Sequence, residues 1–431
     1  MIWNKIESAP REKIEELQLA RLKDTVERVY TLTPFYKKKF EELELKPSDI
    51  NSLEDIKKLP FTKKQDLRNH YPFGLFTVPM SEVVRVHSSS GTTGKPTVVG
   101  YTQADMDVWD EVMARAFTMA GANSEDIVHN GYGYGLFTGG LGFHNGAGKI
   151  GATVVPASGG CSERQLMLMR DFGSTILTCT PSFALHMAEL ASTAGNNYLK
   201  DYKLKAGIFG AEPTSIGLKE EVKRAWGIDY HEVYGLSEII GPGVACSCKS
   251  SPLLHVFEDH FFVEIIDPKT GESLPDGERG ELVITPLTKQ ALPLLRYRTG
   301  DITSIIKEPC KCGRTLLRME SIVGRADDML IVNGVNVYPS QIEHVIANAQ
   351  GVTLNYQIIA DKKGYLDKLE IKVEVSDEIM SDNISEMERI KKDIQTALLN
   401  NLYIKASVKL VEPRSIERSM GKAIRIIDKR V

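Results

Sequence analysis

The first sixty residues combine one helical pattern with spaced prolines. Between residues 11 and 30, apolar side chains recur every three to five positions among charged ones, which predicts an amphipathic helix. Those apolar positions are Ile14, Leu17, Leu22, Val26 and Val29. Pro34, Pro47 and Pro60 break any longer periodic run, so we expect short helices and loops beyond this helix.

From residue 83 onward, short apolar runs of strand length alternate with amphipathic helical patterns. The runs that predict strands lie at residues 83–86, 152–156, 174–179 and 206–209. Such alternation is typical of a parallel sheet with helices on its faces. We therefore predict an α/β fold whose large N-terminal domain is built on parallel sheets packed with helices.

The pattern changes after residue 250. Residues 255–266 and 281–285 predict strands joined by turn-rich segments, which indicates a more antiparallel, β-barrel-like region. Further on, Asn333-Gly334 predicts a hairpin across residues 329–337.

A small α+β domain is predicted at the C-terminus. Its predicted elements are helices near 340–349 and 383–400 and strands near 356–360, 369–375 and 406–411. This block has the size and content of a separate domain. We place the boundary at Asp327, which divides the chain into residues 1–326 and 327–431.

Composition and charge narrow the function classes. The chain has 431 residues, enough for two or more domains, and a net charge of −4, which argues against general nucleic-acid binding. The N-terminus lacks a basic-then-apolar signal pattern, and no apolar run is long enough to span a bilayer. We therefore expect a soluble, cytoplasmic protein without a membrane partner.

A hydroxyl-rich loop follows the strand predicted at residues 83–86. Its residues are Ser88, Ser89, Ser90, Gly91, Thr92, Thr93, Gly94 and Lys95. Glycines permit close backbone approach, hydroxyls donate hydrogen bonds and lysine supplies a positive charge, so the loop suits a triphosphate. The spacing is not that of a Walker A motif, because Pro96 follows the lysine and only two residues separate the glycines. Alone, such a segment is also typical of a mobile Ser/Gly loop.

Five further segments follow the loop along the chain. They are Gly210-Ala211-Glu212-Pro213, Tyr234-Gly235-Leu236-Ser237-Glu238, Tyr297-Arg298-Thr299-Gly300-Asp301, Gly324-Arg325-Ala326-Asp327-Asp328 and, near the C-terminus, Ser419-Met420-Gly421-Lys422-Ala423. Singly, each is typical of a turn, a strand end, a cap or a solvated lysine. Together with the loop, in this order, they resemble the motifs of the adenylate-forming superfamily of acyl- and aryl-CoA ligases. The resemblance covers nearly all of residues 80–425.

The resemblance implies one ATP site that includes residues from each segment. The hydroxyl-rich loop would close over the β- and γ-phosphates. The adenine would be bordered by Gly210, Ala211 and Glu212 and would stack on Tyr234, which precedes Gly235. Alanine at position 211, where many relatives carry glycine, is a small departure from the pattern.

The resemblance also implies roles around the phosphates and the ribose. Ser237 would contact the α-phosphate, and serine keeps the hydroxyl of the threonine common in relatives. Glu238 would hold Mg²⁺, and Asp301 would accept hydrogen bonds from the ribose hydroxyls. Arg325 would add a contact to the ribose or to a phosphate.

Two residues of the C-terminal region complete the implied site. Lys422 resembles the lysine that bridges the carboxylate and the α-phosphate, and Asp327 resembles a hinge. An attacking carboxylate and a phosphate repel each other, so Mg²⁺ on Glu238 and the ammonium of Lys422 would offset that repulsion. A hinge would let a small mobile domain deliver the lysine for one step and then withdraw it.

Within the superfamily, residues 132–140, 238–244 and 254–261 resemble the phenylacetate–CoA ligase branch. An aryl slot is predicted from residues in the first two stretches, namely Tyr132, Tyr134, Phe137, Ile239, Ile240 and Pro242. Aromatic side chains suit an aromatic substrate, although the same residues are also typical of an ordinary core. The pattern favours phenylacetate but does not separate it from other arylacetates or a benzoate.

Four of the six cysteines form two Cys-x-Cys pairs. In a cytosolic chain, paired cysteines indicate a metal more often than a disulfide. We predict a structural zinc site formed by Cys248, His255, Cys310 and Cys312, with Cys246 as an alternative ligand. The competing interpretation is a set of free thiols beside a core histidine.

The resemblance implies an ATP-dependent ligase that forms an acyl-AMP and pyrophosphate and then transfers the acyl group to CoA, releasing AMP. Two alternatives stay open at this point. One is the same adenylation with another acid or acceptor, such as a carrier-protein thiol or the acceptor of a deazaflavin nucleotidyl ligase. The other is a nucleotide-binding regulatory protein without activity, against which intact Lys422, Glu238 and Asp301 argue. The family likeness and the long N-terminal helical segment favour a homodimer.

Overall fold

The computed structural model describes residues 1–89, 96–193, 201–326, 330–332, 335–363, 366–379, 384–402, 404–418 and 425–430. Contacts group the chain into two compact units, residues 1–179, 199–211 and 228–321 in the first and residues 180–198, 212–227 and 322–431 in the second. The predicted boundary at Asp327 lies outside the described residues and stays a prediction.

The first unit contains an N-terminal helical segment and most of the strands. Its helices are α1 (Arg11–Leu32), α2 (Pro34–Glu42), α3 (Lys64–Asn69), α4 (Gln103–Met119), α5 (Thr138–Lys149) and α6 (Ser162–Asp171). Its strands are β1 (Arg85–Ser88), β2 (Val98–Tyr101), β3 (Ile127–Asn130), β4 (Thr153–Val155), β5 (Ile176–Cys179), β6 (Ala206–Phe209), β7 (Asp229–Leu236), β8 (Gly241–Cys248), β9 (Ser251–Val256), β10 (Phe261–Ile266), β11 (Gly280–Pro286), β12 (Tyr297–Thr303), β13 (Ile305–Ile306) and β14 (Arg318–Met319).

The second unit contains two helices from the middle of the chain and the α+β region predicted at the C-terminus. Its helices are α7 (Pro181–Thr193), α8 (Ile216–Trp226), α9 (Pro339–Ala347) and α10 (Ile384–Leu402). Its strands are β15 (Gly324–Arg325), β16 (Leu330–Val332), β17 (Val335–Val337), β18 (Val352–Lys363), β19 (Leu366–Val375), β20 (Ala406–Val411) and β21 (Ile426–Asp428).

A nine-stranded mixed sheet dominates the first unit, in the order β13-β14-β9-β8-β7-β6-β5-β3-β4. The half from β4 to β7 is parallel, which confirms the predicted α/β alternation. The half from β7 to β13 is antiparallel. Strand β7 therefore joins the two halves, because it pairs parallel with β6 and antiparallel with β8.

The other antiparallel strands of the first unit form separate ladders. Strands β10, β11 and β12 pair in sequence order, and β1 pairs with β2. The prediction of antiparallel strands beyond residue 250 is therefore confirmed. Strands β9, β13 and β14 belong to the nine-stranded sheet, whereas β10, β11 and β12 form a second ladder.

Two strand predictions needed correction. The strand predicted at residues 83–86 begins two residues later, as β1 (Arg85–Ser88). The single strand predicted at residues 255–266 is wrong, because β9 ends at Val256 and β10 begins at Phe261.

Buried charges explain the interruption between β9 and β10. Glu258 accepts two hydrogen bonds from Arg11 at 2.7 and 3.0 Å, and Asp259 accepts two from Arg115 at 2.8 and 3.0 Å. Glu258, Asp259 and Arg115 are all buried. Buried charges are tolerated when they are paired, so these contacts fix a turn where the apolar pattern alone indicated a continuous strand.

The N-terminal helix was predicted correctly, and it packs its apolar face inside the first unit. Leu22, Val26 and Val29 of α1 are fully buried in one cluster with Tyr36 and Phe40 of α2. Burying side chains of this size contributes about 1.5–3 kcal/mol each. The cluster therefore anchors the N-terminal segment to the rest of the unit.

The second unit has its own core, formed around the sheet β20-β19-β18-β21. Strands β16 and β17, on either side of the predicted hairpin turn, pair antiparallel, whereas the turn residues 333 and 334 lie outside the described residues. Within the same unit, Trp226 Nε1 of α8 donates to the Ala184 carbonyl of α7 at 2.9 Å. No helix in the described part of the chain has the length and apolarity needed to cross a membrane.

Candidate active site

The carboxyl end of β7 places Tyr234 beside Asp301 of β12. The Tyr234 hydroxyl donates to Asp301 Oδ2 at 2.7 Å, and both side chains are largely buried. A carboxylate that accepts one phenol hydrogen bond keeps further acceptor sites. The structure thus brings together the two residues predicted to contact the adenine and the ribose.

Ser237 and Glu238 lie in a turn that links β7 to β8. The turn is closed by hydrogen bonds from the amides of Ile239 and Ile240 to the Leu236 carbonyl, at 3.1 and 3.2 Å. The Ser237 hydroxyl lies 3.1 Å from the hydroxyl of Thr138, the first residue of α5. The Ser237 and Thr138 hydroxyls and the Glu238 carboxylate therefore lie just beyond the carboxyl end of β7.

Glu238 lies beside two residues that the sequence did not single out. Its Oε1 atom is 3.3 Å from the Thr97 hydroxyl and 3.7 Å from Lys64 Nζ on α3. Thr97 lies two residues after the end of the hydroxyl-rich loop, separated from it by Pro96, and this position is a signal that could have indicated it. Lys64 is an exposed residue at the start of the short helix α3, and no motif distinguishes it.

Ser88 and Ser89 mark the start of the hydroxyl-rich loop. The Ser88 amide donates to the Leu136 carbonyl at 3.0 Å. Ser89 Oγ accepts from the Thr97 amide at 3.0 Å and lies 2.8 Å from the Thr97 hydroxyl. Because Thr97 also lies 3.3 Å from Glu238, these bonds place Ser89 close to that carboxylate. The loop residues Ser90, Gly91, Thr92, Thr93, Gly94 and Lys95 lie outside the described residues.

Gly210 and Ala211 follow the end of β6, and both have constrained backbones. A Cβ atom at Gly210 would lie 2.4 Å from the Val233 carbonyl oxygen, so no larger residue fits there without movement. Ala211 has φ of +72°, a region that glycine adopts at lower cost. This conformation gives a physical reason for the glycine that many relatives carry at the position.

The remaining predicted nucleotide residues have fewer described contacts. Gly235 lies beside a β-bulge in β7, where a Cβ atom would lie 1.9 Å from the Gly241 carbonyl. In the second unit, Glu212 accepts from the Ser182 amide of α7 at 2.6 Å, and Arg325 ends β15. Asp327 and Lys422 lie outside the described residues.

The residues predicted to form the aryl slot differ widely in exposure. Tyr132 is buried, stacks on Phe143 at a centroid distance of 4.6 Å and donates to the Gly210 carbonyl at 3.3 Å. Ile239 and Ile240 are also buried. These contacts bring one wall of the predicted slot next to the predicted adenine site.

The other slot residues are more accessible. The Tyr134 hydroxyl is half-buried between Asn130 Nδ2 at 2.7 Å and His144 Nδ1 at 3.2 Å. Pro242 is also half-buried, whereas Phe137 is 54% exposed at the N-terminal end of α5. The Phe137 ring is therefore not packed with the buried residues of the predicted slot.

The cysteine cluster is assembled as predicted. One ligand atom from each of Cys248, His255, Cys310 and Cys312 lies within 4.8 Å of every other. Two of these separations are 3.8 Å, between the sulfurs of Cys248 and Cys310, and 3.6 Å, between Cys312 Sγ and His255 Nε2.

Cys246 lies outside this cluster. Its sulfur is fully buried 3.8 Å from the Ala116 carbonyl, and a β-bulge between Ser247 and Cys248 separates it from the next cysteine. The geometry therefore favours the preferred four residues over the alternative ligand.

The fold and these side chains define a class of protein: an α/β enzyme whose polar site lies where the parallel half of a sheet meets its antiparallel half. Residues 15–286 match the model of the AMP-binding enzyme family, and residues 334–430 match that of the AMP-binding enzyme C-terminal domain. The chain belongs to the AMP-binding enzyme family.

Curated relatives match along the whole chain. A phenylacetate-coenzyme A ligase of Thermus thermophilus is 48% identical over 100% of both chains. A phenylacetate-coenzyme A ligase of Escherichia coli is 44% identical over 99% of this chain and 97% of its own. Among solved structures, a 2-hydroxyisobutyryl-CoA ligase in the postadenylation state with 2-HIB-AMP is 30% identical, with a TM-score of 0.93 over 99% of this chain and 92% of that one.

Proposed function

We propose that this protein activates phenylacetate with ATP, forming phenylacetyl-AMP and pyrophosphate, and transfers the acyl group to CoA, releasing AMP. The observation that carries the proposal is the full-length identity with phenylacetate-coenzyme A ligases, at 48% for the relative from Thermus thermophilus. The grouping of Tyr234, Asp301 and Glu238 at one sheet edge supports it.

The described residues suggest how the nucleotide is held. The Asp301 carboxylate would accept hydrogen bonds from the ribose hydroxyls, and its hydrogen bond with Tyr234 would orient that ring for stacking on the adenine. On the family resemblance, the backbone at Gly210 would border the adenine. Ser237 would offer a hydroxyl to the α-phosphate from the turn after β7.

Glu238 and its neighbours fit Mg²⁺, which prefers oxygen ligands. The carboxylate is 6% exposed, and the Thr97 hydroxyl lies 3.3 Å from Oε1. When bound, Mg²⁺ would neutralise charge on the phosphates as the acid carboxylate attacks phosphorus. The roles of Lys422 as the bridging lysine, of Asp327 as the hinge and of Arg325 at the ribose rest on the family resemblance.

Pyrophosphate release from MgATP is the direct test of the proposed activity. We expect release with phenylacetate, and complete conversion to phenylacetyl-CoA and AMP only when CoA is added. Release with a different acid would keep the chemistry and change the substrate. If no acid in an aryl and alkyl panel supports release while ATP still binds, the proposed activity is wrong.

Asp301→Asn is expected to raise the KM for ATP about tenfold, because the amide replaces one acceptor oxygen with a donor at the ribose. The KM for the acid should change little. Steady-state kinetics with each substrate varied in turn would measure both values. Tyr234→Phe is the matched control, since it keeps the ring but removes the 2.7 Å hydrogen bond to Asp301. An Asp301→Asn enzyme with an unchanged KM for ATP would remove the ribose assignment.

Phe137→Ala tests the aryl slot. If the ring closes over the bound acid, its loss should relax the preference for phenylacetate over bulkier arylacetates by about 1–3 kcal/mol, or 10–200-fold in relative kcat/KM. The neighbouring Leu136→Ala is the matched control, because that side chain is 62% exposed. Equal effects of the two variants, or no effect of either, would place Phe137 outside the slot.

We also propose that Cys248, His255, Cys310 and Cys312 bind one structural Zn²⁺. Three thiols and one imidazole are a ligand set that zinc favours, and four protein ligands leave no open position for catalysis. The imidazole is fully buried, and its Nδ1 atom has no hydrogen-bond partner among the described residues. Bound zinc would tie β8 and β9 to the turn at residues 310–313.

Two further proposals concern the state of the protein in the cell. We expect a homodimer, on the strength of the family likeness, and light scattering on the purified protein would measure the mass. We also expect the protein to act in the cytoplasm, where ATP and CoA are available.

A further inference from the structure

A buried stack of three side chains lies behind the turn that carries Glu238. The Tyr101 ring at the end of β2 stacks on Trp109 of α4, with centroids 5.0 Å apart and planes 15° apart. Lys289 Nζ lies 3.2 Å from the centroid of the same ring. Tyr101 and Trp109 are fully buried, and Lys289 is 3% exposed.

The two aromatic residues hold the far end of the turn. The Tyr101 hydroxyl donates to the Ile240 carbonyl at 3.0 Å, and Trp109 Nε1 donates to the Pro242 carbonyl at 2.9 Å. Between these carbonyls, Gly241 has φ of +102°, and a Cβ atom there would lie 2.5 Å from the Trp109 ring. The stack therefore fixes the backbone only two residues beyond Glu238.

Lys289 is an unusual member of this stack. Its ammonium has no hydrogen-bond partner among the described residues. An unbonded amine is costly to bury, and methionine would fill similar space without that cost. Packing alone therefore does not account for a lysine at this position.

The charged and titratable groups around Lys289 do not replace the Tyr101 ring as the main contact of its ammonium. Asp105 is the acidic group that acts on it, but Asp105 already accepts from the amides of Thr102, Gln290 and Ala291, at 2.9, 2.6 and 3.0 Å. His87 is the nearby basic group, and burial lowers its pKa. Tyr101 itself also lies within electrostatic reach of Arg85 and Glu238.

We propose that Lys289 is a positioning residue for Glu238, acting through Tyr101. A cation over a phenol ring is attracted by the ring electrons and polarises the hydroxyl, which strengthens its hydrogen bond to the Ile240 carbonyl. The protonated amine thereby holds the turn of residues 237–242 in the position that the proposed Mg²⁺ site needs. The expected effect on pyrophosphate release rests on the proposed function, whereas the expected effect on the turn of residues 237–242 does not.

Burial lowers the pKa of Lys289 to about 7. The stack is therefore charged below pH 7 and neutral above it, and pyrophosphate release is expected to fall as the pH rises through this value. Stability should change in the opposite sense. The unfolded lysine, with its usual pKa of 10.5, binds more protons than the folded one above pH 7, so wild-type stability rises from about pH 7 towards pH 10.5.

Lys289→Met and Lys289→Arg separate charge from packing. We expect Lys289→Met to lower kcat for pyrophosphate release about tenfold at pH 6.5, to leave the KM for ATP within about twofold and to lose the dependence on pH near 7. Lys289→Arg should retain activity above pH 7, because the guanidinium stays charged. Lys269→Met, in an exposed turn, is the matched control.

Hydrogen–deuterium exchange of the segment at residues 236–244 gives a second measure that does not require activity. After correction for intrinsic rates, the wild-type segment should be more protected at pH 6 than at pH 8. In Lys289→Met, protection at both pH values should be as low as that of the wild type at pH 8. The inference would be overturned if the Lys289→Met variant showed the same kinetics and the same hydrogen exchange as the wild type. If the wild-type enzyme releases no pyrophosphate with any acid, the proposed function fails, and the exchange comparison alone decides the role of Lys289.

Discussion

Glu238→Gln is expected to slow pyrophosphate release by about 10²–10³-fold without unfolding the protein, the loss typical of removing a group aimed at developing charge. Glutamine keeps the size of the side chain and its contact with Thr97, but it removes the negative charge that would hold Mg²⁺. The Mg²⁺ concentration needed for half-maximal rate should rise in parallel. Rates measured at saturating ATP and acid across a Mg²⁺ series would show both effects.

A matched variant separates the loss of a local ligand from a general loss of negative charge. Glu278→Gln removes the same charge from an exposed turn of the same unit and should behave as wild type. The assignment of Glu238 fails if its glutamine variant keeps both the rate and the Mg²⁺ dependence. An increased KM for ATP with a normal kcat would instead indicate a role in nucleotide binding alone.

Cys310→Ser is expected to abolish zinc binding and to lower the free energy of unfolding by about 4 kcal/mol or more, because loss of a structural metal is among the most destabilising single changes. The site joins β8 and β9, through Cys248 and His255, to a turn 55 or more residues further along the chain. Metal analysis of protein purified without chelator should give one zinc per wild-type chain. Denaturant unfolding would measure the loss of stability.

Cys246→Ala provides the control for this prediction. That thiol is fully buried, and Cys248 and Cys310 of the cluster are buried too, but Cys246 contacts the Ala116 carbonyl instead of the cluster. The variant should keep one zinc per chain and lose only the small packing contribution of the sulfur. Zinc-free wild-type protein in which the thiols of Cys248, Cys310 and Cys312 all titrate freely would rule out the metal site.

Local pattern was sufficient where an element depends on its own residues. Periodic apolar positions gave α1, and the short apolar run at β6 matched the observed strand residue for residue. The break between β9 and β10 could not be predicted in this way. It depends on Arg11 and Arg115, which pair with Glu258 and Asp259 from positions more than 140 residues away.

The candidate site shows the same division. Motif resemblance named Tyr234, Asp301 and Glu238, and the structure brings the first two into direct contact. Lys64 and Lys289 carry no motif, because their importance arises only from what the fold places beside them. The exposure of individual slot residues could not be predicted from the sequence either. An aromatic residue such as Phe137, which is exposed in the structure, is as typical of a core as of a loop.

The position of β7 in the nine-stranded sheet also affects how the chain folds during synthesis. Its parallel partner β6 precedes it, but its antiparallel partner β8 follows it, and β14 at residues 318–319 must still join β9. Non-local pairings of this kind form slowly, and an unpaired strand edge promotes aggregation. A nascent chain shorter than about 320 residues therefore leaves the β9 edge of the sheet without its partner β14. Premature termination in this region should yield insoluble chains instead of partly active ones.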